Sequence, residues 1–339
     1  MTVPALVPID PHAHTDTLWR LARDRDLAAL GRVETARSWI AGRLASPGLD
    51  PRRDARLLQG ADGEAVGALL LSSSSGVAGW TAELVLGPRG TAADGAELLS
   101  FAERRCGEIL AERARETGEG GAEAQGQGES EGELSCFVSE EEKAARTALD
   151  TCGFGSPHAY YRMAVALDGP LPQAGVRPDA VVRPLRGEGD LRTFHSVKNS
   201  AFSAEEAGKR EDGFETWLRW WKADPGVDPS QCALLEADGT AVGFANITDR
   251  MLDSRNAAYV RQIGVVPQAR QRGLGSLLLL SVMHEAQRRG RTAMALTVDT
   301  ANSPALALYR RLGWRVESRF DDFRRTVAPA RAGALPDRG

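Results

Sequence analysis

The chain has 339 residues, of which 42% are apolar and 26% are charged. This composition is typical of a soluble globular protein, and the length favours two domains. The formal net charge of −4 argues against nucleic acid as a partner, and no apolar run approaches the roughly 20 residues that span a bilayer. We therefore expect a cytoplasmic protein that binds neither nucleic acid nor a membrane.

The first half of the chain predicts three strands, a helix, a fourth strand and a second helix. Apolar periodicity and turn residues place these elements at strand 55–59, turn 61–64, strand 66–72, strand 80–87, helix 95–113, strand 134–139 and helix 141–150. The stretch 112–132 is rich in Glu, Gly and Gln, so it cannot bury enough apolar surface to order itself. We expect it to be a mobile surface loop.

The second half predicts the same succession of elements. They are strand 232–236, turn 237–240, strand 241–248, strand 258–266, helix 274–289, strand 293–299 and helix 304–311. A repeated order of elements within one chain indicates an internal duplication.

The spacing between corresponding residues tests this duplication. Pro88 corresponds to Pro267, a shift of 179, whereas Gly153 corresponds to Gly313, a shift of 160. The first copy therefore has an insertion of about 19 residues, which is close to the length of the stretch 112–132. We predict an N-terminal domain, a linker rich in Pro and Gly, a C-terminal domain and a flexible tail, at residues 1–168, 169–179, 180–328 and 329–339.

A glycine-containing motif, R-x-x-G-x-G, follows the strand that ends before Pro267 and directly precedes a helix. It runs from Arg270 to Gly275. Glycines at this point let successive backbone N–H groups face one anion, and the start of the helix adds its positive dipole end. The pattern suits a pyrophosphate, but taken alone it equally fits a strand-to-helix turn in which glycine permits tight packing.

A second motif lies at a fixed distance beyond the first, N-x-x-A-x-x-x-Y-x-x-x-G-[FW], from Asn302 through Tyr309 to Trp314. Together the two motifs resemble the GNAT (GCN5-related N-acetyltransferase) superfamily over residues 176–326, and residues 6–167 resemble it by element order. The resemblance implies an α/β (α+β) fold with two tandem GNAT-like domains. Each would hold a mixed, mostly antiparallel twisted sheet flanked by helices, with a splayed strand pair forming the acyl-CoA cleft.

The resemblance also implies a function and a set of site residues. The C-terminal domain would transfer the acyl group of acetyl-CoA, its co-substrate, to an amine by direct attack in a ternary complex. Tyr309 would give a proton to the leaving thiolate. The residues implied to contact the co-substrate are Ile263, Gly264, Val265, Arg270, Gln271, Arg272, Gly273, Leu274, Gly275, Ser276, Asn302 and Tyr309.

The general base is where the sequence departs from the family. Members often carry a Glu on the strand before V-x-P, but here the available positions hold Tyr259, Arg261 and Gln262. Asp299, His195 or a water chain could replace it. Asp299 more often caps a turn, and a lone His such as His195 more often faces solvent. The missing Glu keeps a non-catalytic acyl-CoA-binding or regulatory protein open as an alternative.

Two groups of residues precede the cleft motifs and have a structural and a functional interpretation. An apolar stripe is more often core than acceptor pocket, and an acidic run is more often a solvated face. The stripe comprises Phe214, Trp217, Leu218 and Trp221, and the acidic run comprises Glu205, Glu206, Glu211 and Asp212.

The first copy lacks the chemistry of the second. It has no R-x-x-G-x-G, no Tyr at the position of Tyr309, and Asp94 lies where a phosphate would bind. We expect this copy to support the active one. The scattered cysteines predict reduced thiols and no metal site, and either a monomer or a homodimer is compatible with two fused domains. The cysteines are Cys106, Cys136, Cys152 and Cys232.

Overall fold

The computed structural model describes residues 5–73, 79–118, 131–175, 177–202, 213–224 and 226–330. The chain forms two compact units, and neither is continuous in sequence. Unit 1 consists of Met1–Arg32, Arg43–His158 and Phe320–Gly339, and unit 2 consists of Val33–Gly42 and Ala159–Arg319. Among the helices in the ranges given above, none is both long and apolar enough to cross a membrane.

Up to the unit boundary at residues 158–159, the chain forms the elements β1 (Ala5–Pro8), α1 (Pro11–Leu30), α2 (Arg37–Leu44), α3 (Pro51–Asp54), β2 (Ala55–Gln59), β3 (Ala65–Ser73), β4 (Gly79–Leu86), α4 (Ala92–Gly118), β5 (Gly132–Ser139) and α5 (Lys143–Thr151). Strand β6 (Gly155–Ala166) crosses that boundary. Strands β1 to β5 are hydrogen-bonded in sequence order, antiparallel except for the parallel pair β4–β5. Apolar side chains of β3 and β4 pack against α4 and α5 to form the core of unit 1.

The second half forms β7 (Ala180–Pro184), α6 (Glu188–Phe202), α7 (Phe214–Ala223), β8 (Ala233–Ala237), β9 (Thr240–Met251), α8 (Leu252–Arg255), β10 (Ala257–Val265), α9 (Leu274–Arg288), β11 (Ala293–Asp299), α10 (Ser303–Arg311) and β12 (Arg315–Val327). Strands β7 to β11 also pair in sequence order, with β10–β11 as the parallel pair. Helix α9 is apolar on the side that covers this sheet, where Leu278, Leu279 and Met283 are fully buried. The predicted order of elements, tandem duplication and mixed α/β fold are confirmed.

The two units differ from the contiguous domains that the sequence predicted, because the last strand of each copy lies in the sheet of the other. Strand β6 belongs to the first copy but pairs with β11, from Ala293↔Ala166 to Asp299↔Tyr160. Strand β12 belongs to the second copy but pairs with β5, from Phe320↔Ser139 to Val327↔Gly132. The partner of a strand that lies more than a hundred residues away cannot be predicted from the residue pattern of either strand, so the periodicity of the sequence did not indicate this exchange.

The Glu- and Gly-rich stretch 112–132 is partly regular structure. Helix α4 continues to Gly118 and strand β5 begins at Gly132, so both ends of the stretch extend predicted elements. Glu and Ala are good helix formers, which explains the longer helix. Residues 119–130, where the mobile loop was predicted, lie outside the described residues, as do residues 331–339 of the predicted tail.

Candidate acyl-transfer cleft

Strands β10 and β11 pair over a short distance and then separate. Their parallel register runs from Ala257↔Ala293 to Val260↔Leu296, although β10 continues to Val265 and β11 to Asp299. On its other side, β10 pairs with β9 through Val265↔Gly243, with a register shift between Val260 and Gln262. A bulge bends the strand that carries it. The second half of β10 therefore exposes one backbone edge, as the resemblance predicted.

The direction of the backbone groups on this edge follows from the ladder with β9. The N–H of Val266 donates to the carbonyl of Val242 at 2.9 Å. Because residues alternate their hydrogen-bonding side along a strand, Gly264 faces β9, whereas Ile263 and Val265 face the opening. Of the three residues predicted to pair with a ligand here, Ile263 and Val265 have the required direction. The contribution of Gly264 is its lack of a side chain, because a Cβ there would lie 3.1 Å from the Cβ of Ala201.

Helix α9 begins at the cleft with uncapped backbone N–H groups. Its N-cap is Gly273, with a φ of +75°, and no side chain caps the helix. Gln271 also has a positive φ of 62°, which is uncommon for a residue other than glycine. The first amides of the helix, those of Leu274, Gly275 and Ser276, have no acceptor within the helix. They form a concave set of donors that suits an anion.

The side chains around this loop give it a basic character and hold its shape. Arg270 donates to the carbonyls of Val265 at 3.0 Å and Ala201 at 2.7 Å, so its guanidinium joins the end of β10 to the end of α6. The backbone carbonyl of Arg272 accepts a hydrogen bond from Arg177. The guanidinium of Arg272 is 43% exposed and lies 3.4 Å from the nearest carboxylate oxygen of Asp179.

Tyr309 and Asn302 lie on helix α10, which follows β11. Tyr309 is 7% exposed, and its ring packs 5.8 Å from that of Trp314. Burial raises the pKa of Tyr309 to about 12, so its hydroxyl is protonated at neutral pH. Asn302 is the N-cap of α10 and accepts the N–H of Ala305 at 3.2 Å. This bond uses the side-chain oxygen, which leaves the NH₂ group to contact a ligand.

Two of the substitutes for the missing Glu have structural roles. Asp299 accepts the N–H of Ala301 at 2.7 Å and so caps the turn after β11, as its structural interpretation predicted. His195 is 8% exposed and packs against the rings of Phe214 and Trp217 at 5.7 and 5.0 Å. The expectation that His195 faces solvent was therefore wrong, because α6 turns this side chain into the aromatic core beside α7. The stripe on α7 is core as well, with Trp217 and Trp221 buried in the same cluster, whereas the acidic run lies outside the described residues.

The sequence did not reveal a row of polar side chains at the point where the strands separate. Tyr259, on β10, donates its hydroxyl to Thr297 Oγ1, on β11, at 3.0 Å. Arg162, on β6, donates to the same oxygen at 3.0 Å. Burial alone would raise the pKa of Tyr259, but the charges of Arg162 and Arg250 and the bond to Thr297 outweigh it, so the pKa is lowered. Only Tyr259 was singled out in the sequence, because Arg162 belongs to the exchanged strand.

The corresponding loop of the first copy is closed by its own side chains. Thr91 and Asp94 form a reciprocal cap at the start of α4, in which Asp94 accepts the N–H of Thr91 at 2.8 Å and Thr91 accepts the N–H of Asp94 at 3.2 Å. A carboxylate therefore occupies the position that an anion would need.

The described residues provide neither a cluster of metal-binding side chains nor a cysteine of lowered pKa. No group of three or more His, Cys, Asp or Glu side chains that could hold a metal occurs among the described residues. The four cysteines are unpaired, and burial raises the pKa of Cys106, Cys136 and Cys232 to about 12.

Comparison with known proteins identifies the same region. Residues 194–314 match the model of the acetyltransferase (GNAT) family. A mycothiol acetyltransferase of Thermomonospora curvata is 36% identical over 43% of this chain and 48% of its own length, and that of Rhodococcus erythropolis is 33% identical over 49% of this chain and 55% of its own. The chain thus spans about half the length of the curated relatives it matches.

Solved structures extend the likeness of fold over nearly the whole chain. A GCN5-related N-acetyltransferase from Sphaerobacter thermophilus covers 97% of each chain, with a TM-score of 0.76 and 20% identity. A tandem GNAT protein from the clavulanic acid biosynthesis pathway covers 97% of this chain and 100% of its own, with a TM-score of 0.68 and 15% identity. Residues 194–314 are thus similar to the acetyltransferase (GNAT) family, and the chain shares its tandem fold with these solved GNAT structures.

Proposed function

We propose that unit 2 binds acetyl-CoA and transfers its acetyl group to an amine of a small molecule or peptide. The observation that supports this most directly is the uncapped start of α9 beside the free edge of β10. A ligand that carries both a pyrophosphate and an extended amide arm matches this pair of surfaces, since the first needs convergent N–H donors and the second needs an unpaired strand edge.

The residues present fit acetyl-CoA on steric grounds. A Cβ at Gly275 would meet only Leu308 Cδ2, at 3.5 Å, and one at Gly273 only Arg177, at 3.8 Å. The space in front of the amides is therefore open to a ligand. Gln271 to Ser276 would hold the pyrophosphate, and Asn302 would contact the arm. Arg272 would add charge at the rim, while Arg270 would hold the loop against β10.

Acetyl-CoA supplies an acyl group that is already activated as a thioester. The protein would orient the thioester and supply a proton. The N–H groups of Ile263 and Val265 face the opening, where they can stabilise negative charge on the thioester oxygen. Tyr309 carries a proton at neutral pH and can donate it to the departing sulfur. Because the cysteines of raised pKa are buried, we favour direct attack by the amine over an acyl-cysteine route.

The acceptor is proposed at the level of a class. The named relatives are mycothiol acetyltransferases, and the tandem layout resembles that of mycothiol synthase, so amines related to mycothiol are the first to assay. Family members often carry a carboxylate on this strand, but the available positions hold Tyr259, Arg261 and Gln262, which weighs against an identical acceptor. The same absence supports a second candidate, an acyl-CoA-binding protein without turnover.

Calorimetric titration of acetyl-CoA into the full chain tests the proposal. We expect one site per chain with a Kd of about 1–100 μM, because Thr91 and Asp94 close the corresponding loop of the first copy, whereas the amides at the start of α9 in unit 2 are uncapped. Two sites per chain would contradict the assignment of a single active unit. Absence of binding at millimolar acetyl-CoA would overturn the proposed function.

A further inference from the structure

A short segment from the first half of the chain, Val33–Gly42, belongs to unit 2 rather than to the unit that surrounds it in sequence. Two of its hydrogen bonds run to α8. Ser38 donates to Asp253 Oδ2 at 2.6 Å, and the carbonyl of Glu34 accepts from Ser254 at 3.0 Å. The segment is thus attached to the unit that carries the candidate cleft.

Glu34 is the charged residue that this segment places inside unit 2. Its side chain is 7% exposed, and one carboxylate oxygen lies 2.5 Å from Nη1 of Arg162, which is also 7% exposed. The other oxygen accepts from Arg255 at 3.0 Å. A buried guanidinium keeps its position only when a carboxylate compensates its charge, because an uncompensated buried charge is strongly unfavourable.

Arg162 connects Glu34 to the strands that form the cleft. It lies opposite Thr297 in the β6–β11 pair and donates through Nε to Thr297 Oγ1. Tyr259 donates to the same oxygen from β10, and the guanidinium of Arg162 lies over the Tyr259 ring at 5.3 Å. Thr297 is the residue directly after Leu296, where the parallel pairing ends. The chain Glu34–Arg162–Thr297–Tyr259 therefore spans three strands at the point where the cleft opens.

We propose that Glu34 is a positioning residue for acyl transfer, delivered by the first half of the chain, which fixes the separation of β10 and β11 by holding Arg162 on Thr297. The proposal rests on the proposed function. Ile263 approaches the ligand from one of these strands, whereas α10 and Tyr309 follow the other, so a change in strand separation moves the N–H donor relative to the hydroxyl. The cradle at Gln271 to Ser276 lies beyond the free end of β10 and does not depend on this spacing.

The test compares Glu34→Gln with a matched control, Glu317→Gln, in the full chain. Glu317, on β12, also pairs with Arg255, at 2.9 Å, but its side chain is 23% exposed, against 7% for Glu34. Acetyl-CoA is the probe, with the amine that the wild-type protein turns over best, and rates are expressed per acetyl-CoA site counted by titration. This normalisation removes any loss that comes only from unfolded protein.

We expect Glu34→Gln to lower kcat about tenfold with the KM for acetyl-CoA within about twofold of wild type, since a misplacement of 1 Å can cost about a hundredfold in rate. Glu317→Gln should retain both values, and Glu34→Asp, which keeps the charge, should recover part of the loss. A Glu34→Gln protein with wild-type kcat per site would overturn the positioning role while leaving the proposed function intact. A wild-type protein that binds acetyl-CoA without turnover on any amine would overturn the function itself.

Discussion

Tyr309→Phe is expected to lower kcat by about a hundredfold or more, because it removes the hydroxyl that we propose as the proton donor, and general acid catalysis contributes typically about 10²–10⁴-fold. The affinity for acetyl-CoA should stay within about threefold, since the ring that packs against Trp314 is retained. Steady-state kinetics with calorimetric binding separates the two quantities. An acyl-CoA-binding protein without turnover would show no measurable kcat in the wild type or in the variant, and only its affinity for acetyl-CoA could be compared.

A matched control exists in the same core. Tyr161, on β6, is partly buried and packs against the cluster that contains Tyr309, so Tyr161→Phe removes a hydroxyl beside the same core at a residue that we do not propose to contact acetyl-CoA. Equal losses of kcat in the two variants would indicate a general effect on packing. Wild-type kcat in Tyr309→Phe would rule out Tyr309 as the acid.

The raised pKa of Tyr309 also predicts the pH profile. With a pKa of about 12 in the folded protein, the hydroxyl stays protonated through pH 10, so its ionisation should produce no fall in kcat between pH 7 and 10. The effect on stability has a definite sign: the folded state holds this proton more tightly than an unfolded Tyr of pKa about 10, so the stabilisation is present below about pH 10. It is lost as the pH rises towards 12.

The sequence predicted those parts of the fold that depend on local pattern. Strands such as Ala293–Asp299 and Ala55–Gln59 agree in both bounds, because short, mainly apolar stretches bounded by turn residues indicate a buried strand. The turn at Asp238 and Gly239 was predicted as well, and its positive φ values of 50° and 74° suit the short connection of a hairpin. The motif from Arg270 to Gly275 correctly placed a loop with positive φ before a helix.

The exchanged strands and the polar row could not be predicted, because both depend on contacts between distant parts of the chain. Strand β12 is RVESRFDDFRRTV, a charged stretch whose partner, β5, lies some 180 residues earlier. Arg162 and Glu34 are 128 residues apart, and neither stands in a motif. The interpretation of Arg270 also changed for this reason, since its acceptor Ala201 lies 69 residues away.

The glycines of the cradle allow an equally direct test, with affinity as the readout. Gly273→Ala/Gly275→Leu should weaken acetyl-CoA binding about a hundredfold, because two charge-assisted hydrogen bonds at about 1.5 kcal/mol each would be lost. Alanine at a φ of +75° costs roughly 1–2 kcal/mol. We therefore expect the backbone at residue 273 to leave this conformation, which turns the neighbouring N–H groups away from the pyrophosphate. The leucine adds bulk in front of the remaining donors.

The same helix supplies a control for strain alone. Gly290, just beyond the other end of α9, has a φ of +77° with nothing within 4 Å of an added Cβ, so Gly290→Ala imposes a similar cost on the backbone far from the cleft. If strain in α9 were enough to weaken binding, Gly290→Ala would lower the affinity as well. If the amides themselves bind the pyrophosphate, only the cradle variant loses affinity, and its Kd should also respond less steeply to salt, because fewer contacts to a charged group remain. Binding that survives in the cradle variant would place acetyl-CoA elsewhere on the chain.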